Sequence, residues 1–143
     1  MRRDDAMILR EVQRNAGMGK KALGLLMPMV EDRELAGVLS RQELEYSRFA
    51  DRATGALIED GGGEYRENVW ADLMLKGGIR ANTLFDTSTT HLAQLVVQGS
   101  SRGWAEAGRT LNRCDNAGRD STELAMELMN FEKRSMDEMK KYL

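Results

Sequence analysis

Residues 88–113, STTHLAQLVVQGSSRGWAEAGRTLNR, constrain the fold most, because their periodicity is typical of one unbroken helix. The hydroxyl side chains of residues 88–90 can accept the first free backbone N–H groups of this helix. Gly99, Gly103 and Ala107 recur every four residues, so one helix face has almost no side chains. A glycine costs a helix about 1 kcal/mol relative to alanine, and two on one face indicate that packing offsets this cost. We therefore expect these three positions to form a helix-packing interface.

Apolar side chains at spacings of three and four residues predict four further helices. These cover residues 4–27, residues 31–60, a weaker segment at residues 64–85, and a last helix from residue 120 or 121 to the end. Pro28 should end the first helix because proline has no N–H to donate. The triple glycine at residues 61–63 should end the second.

Acidic and hydroxyl residues suggest where two of these helices begin. Asp4 or Asp5 can cap the first helix, and Asp120 or Ser121 can cap the last, because their side-chain oxygens accept free backbone N–H groups. We expect each of these side chains to serve its own helix.

The predicted fold is an all-α four-helix bundle in one domain, residues 1–143. Short turns make the first two helices antiparallel, and likewise the last two. The weaker helix at residues 64–85 can cross the length of the bundle, which makes the second and third long helices parallel. We expect this crossover to set the topology.

This helix order and crossover resemble the ferritin-like superfamily. The segments NAGMGK, HLAQLVVQGS and FEKRSMDEMKKYL are similar to small bacterial members. Di-iron members carry a Glu on each of two helices and a Glu-x-x-His on each of the other two. Here the only histidine, His91, is preceded three residues earlier by Ser88, so no Glu-x-x-His exists. The resemblance therefore implies the fold but no family metal site.

Polar side chains from all four long helices are predicted on or near inward faces. They are Glu11, Asn15, Gln42, Glu45, His91, Gln98, Glu132 and Ser135. Buried carboxylates and amides cost several kcal/mol unless paired. Three interpretations stay open: the groups flank the core and pair with Arg or Lys, they form a buried polar network, or they bind a metal. The metal ligands would be Glu11, Glu45, His91 and Glu132, and the metal iron or manganese.

Composition excludes several classes of function. The chain has 21 basic and 23 acidic side chains and a net charge of −2, which disfavours a nucleic-acid role. Its apolar runs fall short of the roughly 20 residues that span a bilayer, and residues 1–13 lack the apolar stretch of a signal peptide. One cysteine, Cys114, and one histidine exclude an internal disulfide and a Cys/His zinc cluster within one chain. We expect a cytoplasmic protein with no membrane partner, and Cys114 to be an inert thiol in a polar turn.

Motifs for acyl or phosphoryl transfer are missing from the chain. Ten methionines suit a flexible core and also adaptable binding surfaces. The prediction is a non-catalytic helical bundle without a cofactor, which acts as a homo-oligomer or by binding another protein. The alternative is a divergent carboxylate-based protein that binds iron or manganese.

Overall fold

The computed structural model describes residues 1–61 and 69–143, and only the backbone of Trp70. This part of the chain holds five α-helices and no strand. They are α1 (Arg3–Leu26), α2 (Arg33–Glu59), α3 (Val69–Thr83), α4 (Thr89–Arg113) and α5 (Arg119–Met139). Single 3-10 turns follow α1, at Met27–Met29, and α5, at Lys140–Tyr142. The predicted all-α class is confirmed.

Several predicted helix ends agree with the structure. Pro28 lies in the 3-10 turn that follows α1. Gly61 ends α2 with a left-handed φ of 73°, a conformation that glycine adopts without a Cβ clash. The Ser88 hydroxyl caps α4 by accepting the backbone N–H of His91 at 3.2 Å. The weaker helix, predicted at residues 64–85, is described only from Val69 and ends at Thr83; the first residues of that prediction lie outside the described ones.

The predicted caps of α1 and α5 are wrong. Asp4 and Asp5 lie inside the first turn of α1, and the capping position of α5 is Gly118 rather than Asp120 or Ser121. Asp5 reaches across to α5, where it accepts the backbone N–H of Gly118 at 2.7 Å and the hydroxyl of Ser121. A side chain distant in sequence therefore satisfies the start of α5, which local patterns do not reveal.

Contacts between helix ends fix the helix directions. The amino group of Met1 pairs with Asp60 at 3.2 Å, so α1 and α2 are antiparallel. Thr90 donates to the Tyr142 carbonyl at 3.2 Å, so α4 and α5 are antiparallel. Since the Asp5 contact makes α1 and α5 parallel, α2 and α4 also run in the same direction.

α1 is the central helix, because it contacts α2, α3, α4 and α5. The core between them contains fully buried side chains from four helices, among them Ile8, Leu39, Leu92 and Leu128. Cys114, directly after α4, is also buried, and burial raises the pKa of its thiol. It therefore lies in the core rather than in an open polar turn. Within the described residues, no helix is long and apolar enough to cross a membrane.

Candidate functional site

Glu132 of α5 is a carboxyl group inside the bundle, with only 1% of the residue exposed. Its Oε2 accepts a hydrogen bond from the Tyr46 hydroxyl at 3.2 Å, while its Oε1 has no partner among the residues that the structure describes. Burial, together with the negative charges of Glu11 and Glu106, raises the pKa of Glu132 to about 8. The group is therefore mostly protonated at pH 7.

Two glycines make room for the side chains of Glu132 and Tyr46. A Cβ at Gly103 of α4 would overlap the Glu132 carboxyl group and lie 2.8 Å from Oδ1 of Asn15. A Cβ at Gly19 of α1 would lie 2.5 to 2.7 Å from the ring of Tyr46. Asn15 also donates to the Gly103 carbonyl at 2.8 Å, which joins α1 to α4 beside the carboxyl group. The close approach of α1, α4 and α5 thus depends on the absence of a side chain at Gly103.

Gln42 of α2 is the second buried group with unpartnered polar atoms. It is 2% exposed, and neither its Oε1 nor its Nε2 has a hydrogen-bond partner in residues 1–61 and 69–143. Its apolar neighbours along α2, Leu39 and Tyr46, are buried as well. An unpaired buried amide is costly, so a ligand that hydrogen-bonds to Gln42 would remove this cost.

Both groups line a cavity of about 200 Å³ between the helices. Tyr46, Asn15 and Ser100 complete its polar end. Its remaining walls are largely apolar and are contributed mainly by α1 and α4, with one residue of α3: Met18, Ala22, Leu23, Leu26, Leu75, Leu95 and Val96. We call the part lined by Glu132, Gln42, Tyr46, Asn15 and Ser100 the polar end of the cavity, and Arg14, Arg102 and Glu106 also line the cavity.

Arg14 lines this cavity as a charged group and is held by two carboxylates. It contacts Glu11 of its own helix at 2.7 Å and Glu106 of α4 at 2.6 Å. Arg102, an exposed side chain of α4, also lines the cavity. Arg14 thus forms ion pairs within α1 and with α4, and it forms none with Glu132.

The four predicted metal ligands do not come together. Glu11 pairs with Arg14, and Glu45 pairs with Arg48 at 2.6 Å. His91 lies 2.6 Å from the carbonyl of Asn82, through its Nε2. Only Glu132 is fully buried. Within the described part of the chain, no group of three or more His, Cys, Asp or Glu side chains is placed to hold a metal ion, so the donor set does not fit one.

The predicted small-residue interface is divided between two environments. Gly103 and Ala107 are buried inside the bundle. Gly99 is exposed at the edge of the cavity, and a Cβ there would meet nothing within 4 Å. Close packing therefore centres on Gly103.

A second candidate site is the α3 surface, which we define as the exposed apolar side chains of α3 and the two residues after it. The exposed fractions are 59% for Leu73, 62% for Met74, 70% for Leu84 and 96% for Phe85, and Val69 at the start of α3 is 68% exposed. On its inner side α3 is attached by a 2.8 Å ion pair between Lys21 and Asp72 and by the partly buried Ile79. The outer side carries these apolar side chains together with exposed Lys76, Arg80 and Asn82, and the described residues do not cover it.

Sequence reasoning missed Tyr46 and Gly19 as parts of the polar cluster. Tyr46 lies on the apolar stripe of α2 and reads as core, and Gly19 lies in an otherwise ordinary helix. The one usable signal was Gln42, a polar interruption of that stripe one turn before Tyr46.

Comparisons of the chain with family models, curated proteins and solved structures find nothing that matches.

Proposed function

We propose that this chain is a non-catalytic helical-bundle protein that acts by self-association, with the α3 surface of one copy packed against the α3 surface of another. The observation that carries the proposal is the exposure of Leu73, Met74, Leu84 and Phe85 on one segment. Several exposed apolar side chains on one segment mark an interaction site more often than single scattered ones do.

The composition of α3 supports a second helix as the occupant. Gly77 and Gly78 lie between the two apolar pairs, and a Cβ at either would meet nothing within 4 Å. Their backbone is therefore open to close approach. A second α3 in the opposite direction would place the same residues against one another, which is the symmetry of most homodimers. Burying a large apolar side chain contributes about 1.5 to 3 kcal/mol, so four per copy exceed the lower estimates of the cost of association, about 4 kcal/mol.

We also propose that the bundle has the ferritin-like topology. Parallel α2 and α4, antiparallel pairs on either side of them and a helix between them support this relation. The relation concerns architecture alone, because the chain has no Glu-x-x-His.

Light scattering at several protein concentrations tests the self-association. The wild-type protein should approach twice the monomer mass of 16.1 kDa as concentration rises. Leu73→Asp should shift the midpoint to at least tenfold higher concentration, because the new carboxylate would be buried at the contact. Met126→Asp is the matched control, since Met126 is 52% exposed on α5, away from α3.

Two results would contradict the proposal. One is a wild-type monomer at about 100 µM, and the other is an equal effect of the two substitutions. Elemental analysis of the same preparation addresses the alternative function: one iron or manganese per wild-type chain, and none in Glu132→Gln, would replace this proposal with a metal-binding one.

A further inference from the structure

We propose that the cavity beside Glu132 binds a small primary amine with a compact apolar body. Its ammonium group would be held by Glu132, Gln42 and Ser100, all of which line the cavity. This inference does not depend on self-association, because the α3 surface and the polar end of the cavity are separate features of the chain.

Hydrogen bonding at the polar end favours an ammonium group. Once Glu132 is ionised, its Oε1 and the Oε1 of Gln42 are both buried acceptors without a partner in the described chain. Ser100 is 4% exposed, and its hydroxyl interacts with Tyr46, which leaves a lone pair on its oxygen. An ammonium group has three donors and no acceptor, so it can satisfy three such oxygens at once.

Charge at the site favours a cation over an anion. The titratable and charged groups that face Glu132 or line the same cavity are Tyr46 on α2, Glu11 and Arg14 on α1, and Arg102 and Glu106 on α4. Arg14 is engaged by Glu11 and Glu106, and no Lys or Arg among the described residues forms an ion pair with Glu132. Arg102 is exposed, so solvent screens its charge. Once Glu132 is ionised, a bound anion would lie beside a buried carboxylate, whereas an ammonium would supply its counter-charge.

The size and walls of the cavity limit the rest of the ligand. A cavity of about 150 Å³ lined by Leu, Ile and Phe holds benzene. At about 200 Å³, this cavity has room for about eight to ten non-hydrogen atoms. Since its long walls are leucine, methionine, alanine and valine side chains, the body of the ligand should be apolar, either aromatic or branched aliphatic.

Binding of a cation requires Glu132 to be ionised, and this requirement lowers the measured affinity at neutral pH. Because the pKa of Glu132 is about 8, forming the carboxylate at pH 7 reduces affinity for a cation about tenfold. Titrations are therefore best made at pH 8.5, where an alkylamine is still protonated.

Isothermal titration calorimetry with three probes of similar shape tests the ligand class. Phenethylamine is the cation, phenethyl alcohol the neutral analogue and phenylacetate the anion. The wild-type protein should bind phenethylamine saturably, one per chain and at least tenfold tighter than the other two. Equal or tighter binding of the alcohol or the anion would overturn the proposal, as would the lack of saturable binding of the amine.

Two substitutions test the location. Gly99→Leu should weaken binding at least tenfold, because Gly99 lines the edge of the cavity and a leucine side chain there would narrow its opening. Gly55→Leu on α2 is the matched control, since it also meets nothing within 4 Å and does not line the cavity. Both replace an open helical glycine, so both should fold.

Glu132→Gln should remove the preference for the amine over the alcohol while keeping the shape of the site. Unchanged amine binding in either Gly99→Leu or Glu132→Gln would overturn the assignment. If Glu132→Gln does not fold, the comparison of Gly99→Leu with Gly55→Leu still decides the location.

Discussion

Gly99 and Gly103 lie one turn apart on α4 and have opposite surroundings. A Cβ is free of contacts at Gly99, whereas at Gly103 it would overlap Glu132. Helix propensity alone predicts that alanine stabilises both positions by up to about 1 kcal/mol. The contacts around each glycine therefore decide the sign of the change.

We expect Gly99→Ala to raise the free energy of unfolding by up to about 1 kcal/mol and Gly103→Ala to lower it by about 1 to 3 kcal/mol. Urea denaturation of the two variants and the wild type, with equal m-values, measures both changes. Shifts of the same sign and size would show that Gly103 is not a close helix contact.

Glu132 makes stability depend on pH in a direction opposite to that of most carboxylates. Its pKa is about 8 in the folded protein, against an ordinary value of 4.5, so the folded state holds the proton more tightly. Between these values a rise in pH favours the unfolded state by about 1.4 kcal/mol per pH unit. The contribution of Glu132 is fully present below about pH 4.5 and is lost as pH rises through about 8.

Glu132→Gln should remove this dependence, because glutamine does not ionise. The stability of the variant relative to wild type should improve between pH 5 and pH 8, by several kcal/mol at most. Thermal or urea unfolding at both pH values measures the change. A constant difference across this range would mean that Glu132 is not a buried, neutral acid.

At the scale of single elements, α5 begins with help from α1. Asp5 accepts the backbone N–H of Gly118, directly before α5, and the hydroxyl of Ser121 in its first turn, and these hydrogen bonds lower the pKa of Asp5. The sequence predicts that Asp120 or Ser121 caps α5, because capping residues are expected next to the start of a helix. Helix existence is thus readable from periodicity, while the partner of a helix end is not when it lies far away in sequence.

Asp5→Ala should lower the free energy of unfolding by about 1 kcal/mol at pH 7, and Asp120→Ala by less, because Asp120 is exposed. The sign with pH follows from the lowered pKa: the contribution of Asp5 is present above about pH 4 and is lost as pH falls through the folded value. Urea midpoints of both variants measure the effects. A larger loss in Asp120→Ala would restore the cap expected from sequence.

At the scale of the whole molecule, the long helices and their directions could be predicted, because apolar periodicity and short turns determine them. The polar cluster was predicted only in part. All four side chains were predicted on or near inward faces, with their burial left open. Gln42 and Glu132 are buried, whereas Glu11 and Glu45 form ion pairs with Arg14 and Arg48, which lie three residues further along the same helices. An inward position on a helix does not show whether a carboxylate is buried in the core or pairs with a nearby arginine.

The exposure of the α3 surface is also a property of the whole molecule. The sequence predicts a helix at residues 64–85 that crosses the bundle, and in the structure α1 contacts α3 while Leu73 and Met74 stay exposed. Periodicity shows that a face is apolar and does not show whether this chain or another copy covers it.

Because Cys114 is buried, the reaction of its thiol with a reagent reports on opening motions of the folded protein. As the only cysteine, with 5% exposure and a raised pKa, it can react with a thiol reagent only when the junction between α4 and α5 opens. Its labelling rate in the native protein is then a direct measure of how often that end of the bundle separates, without any introduced probe.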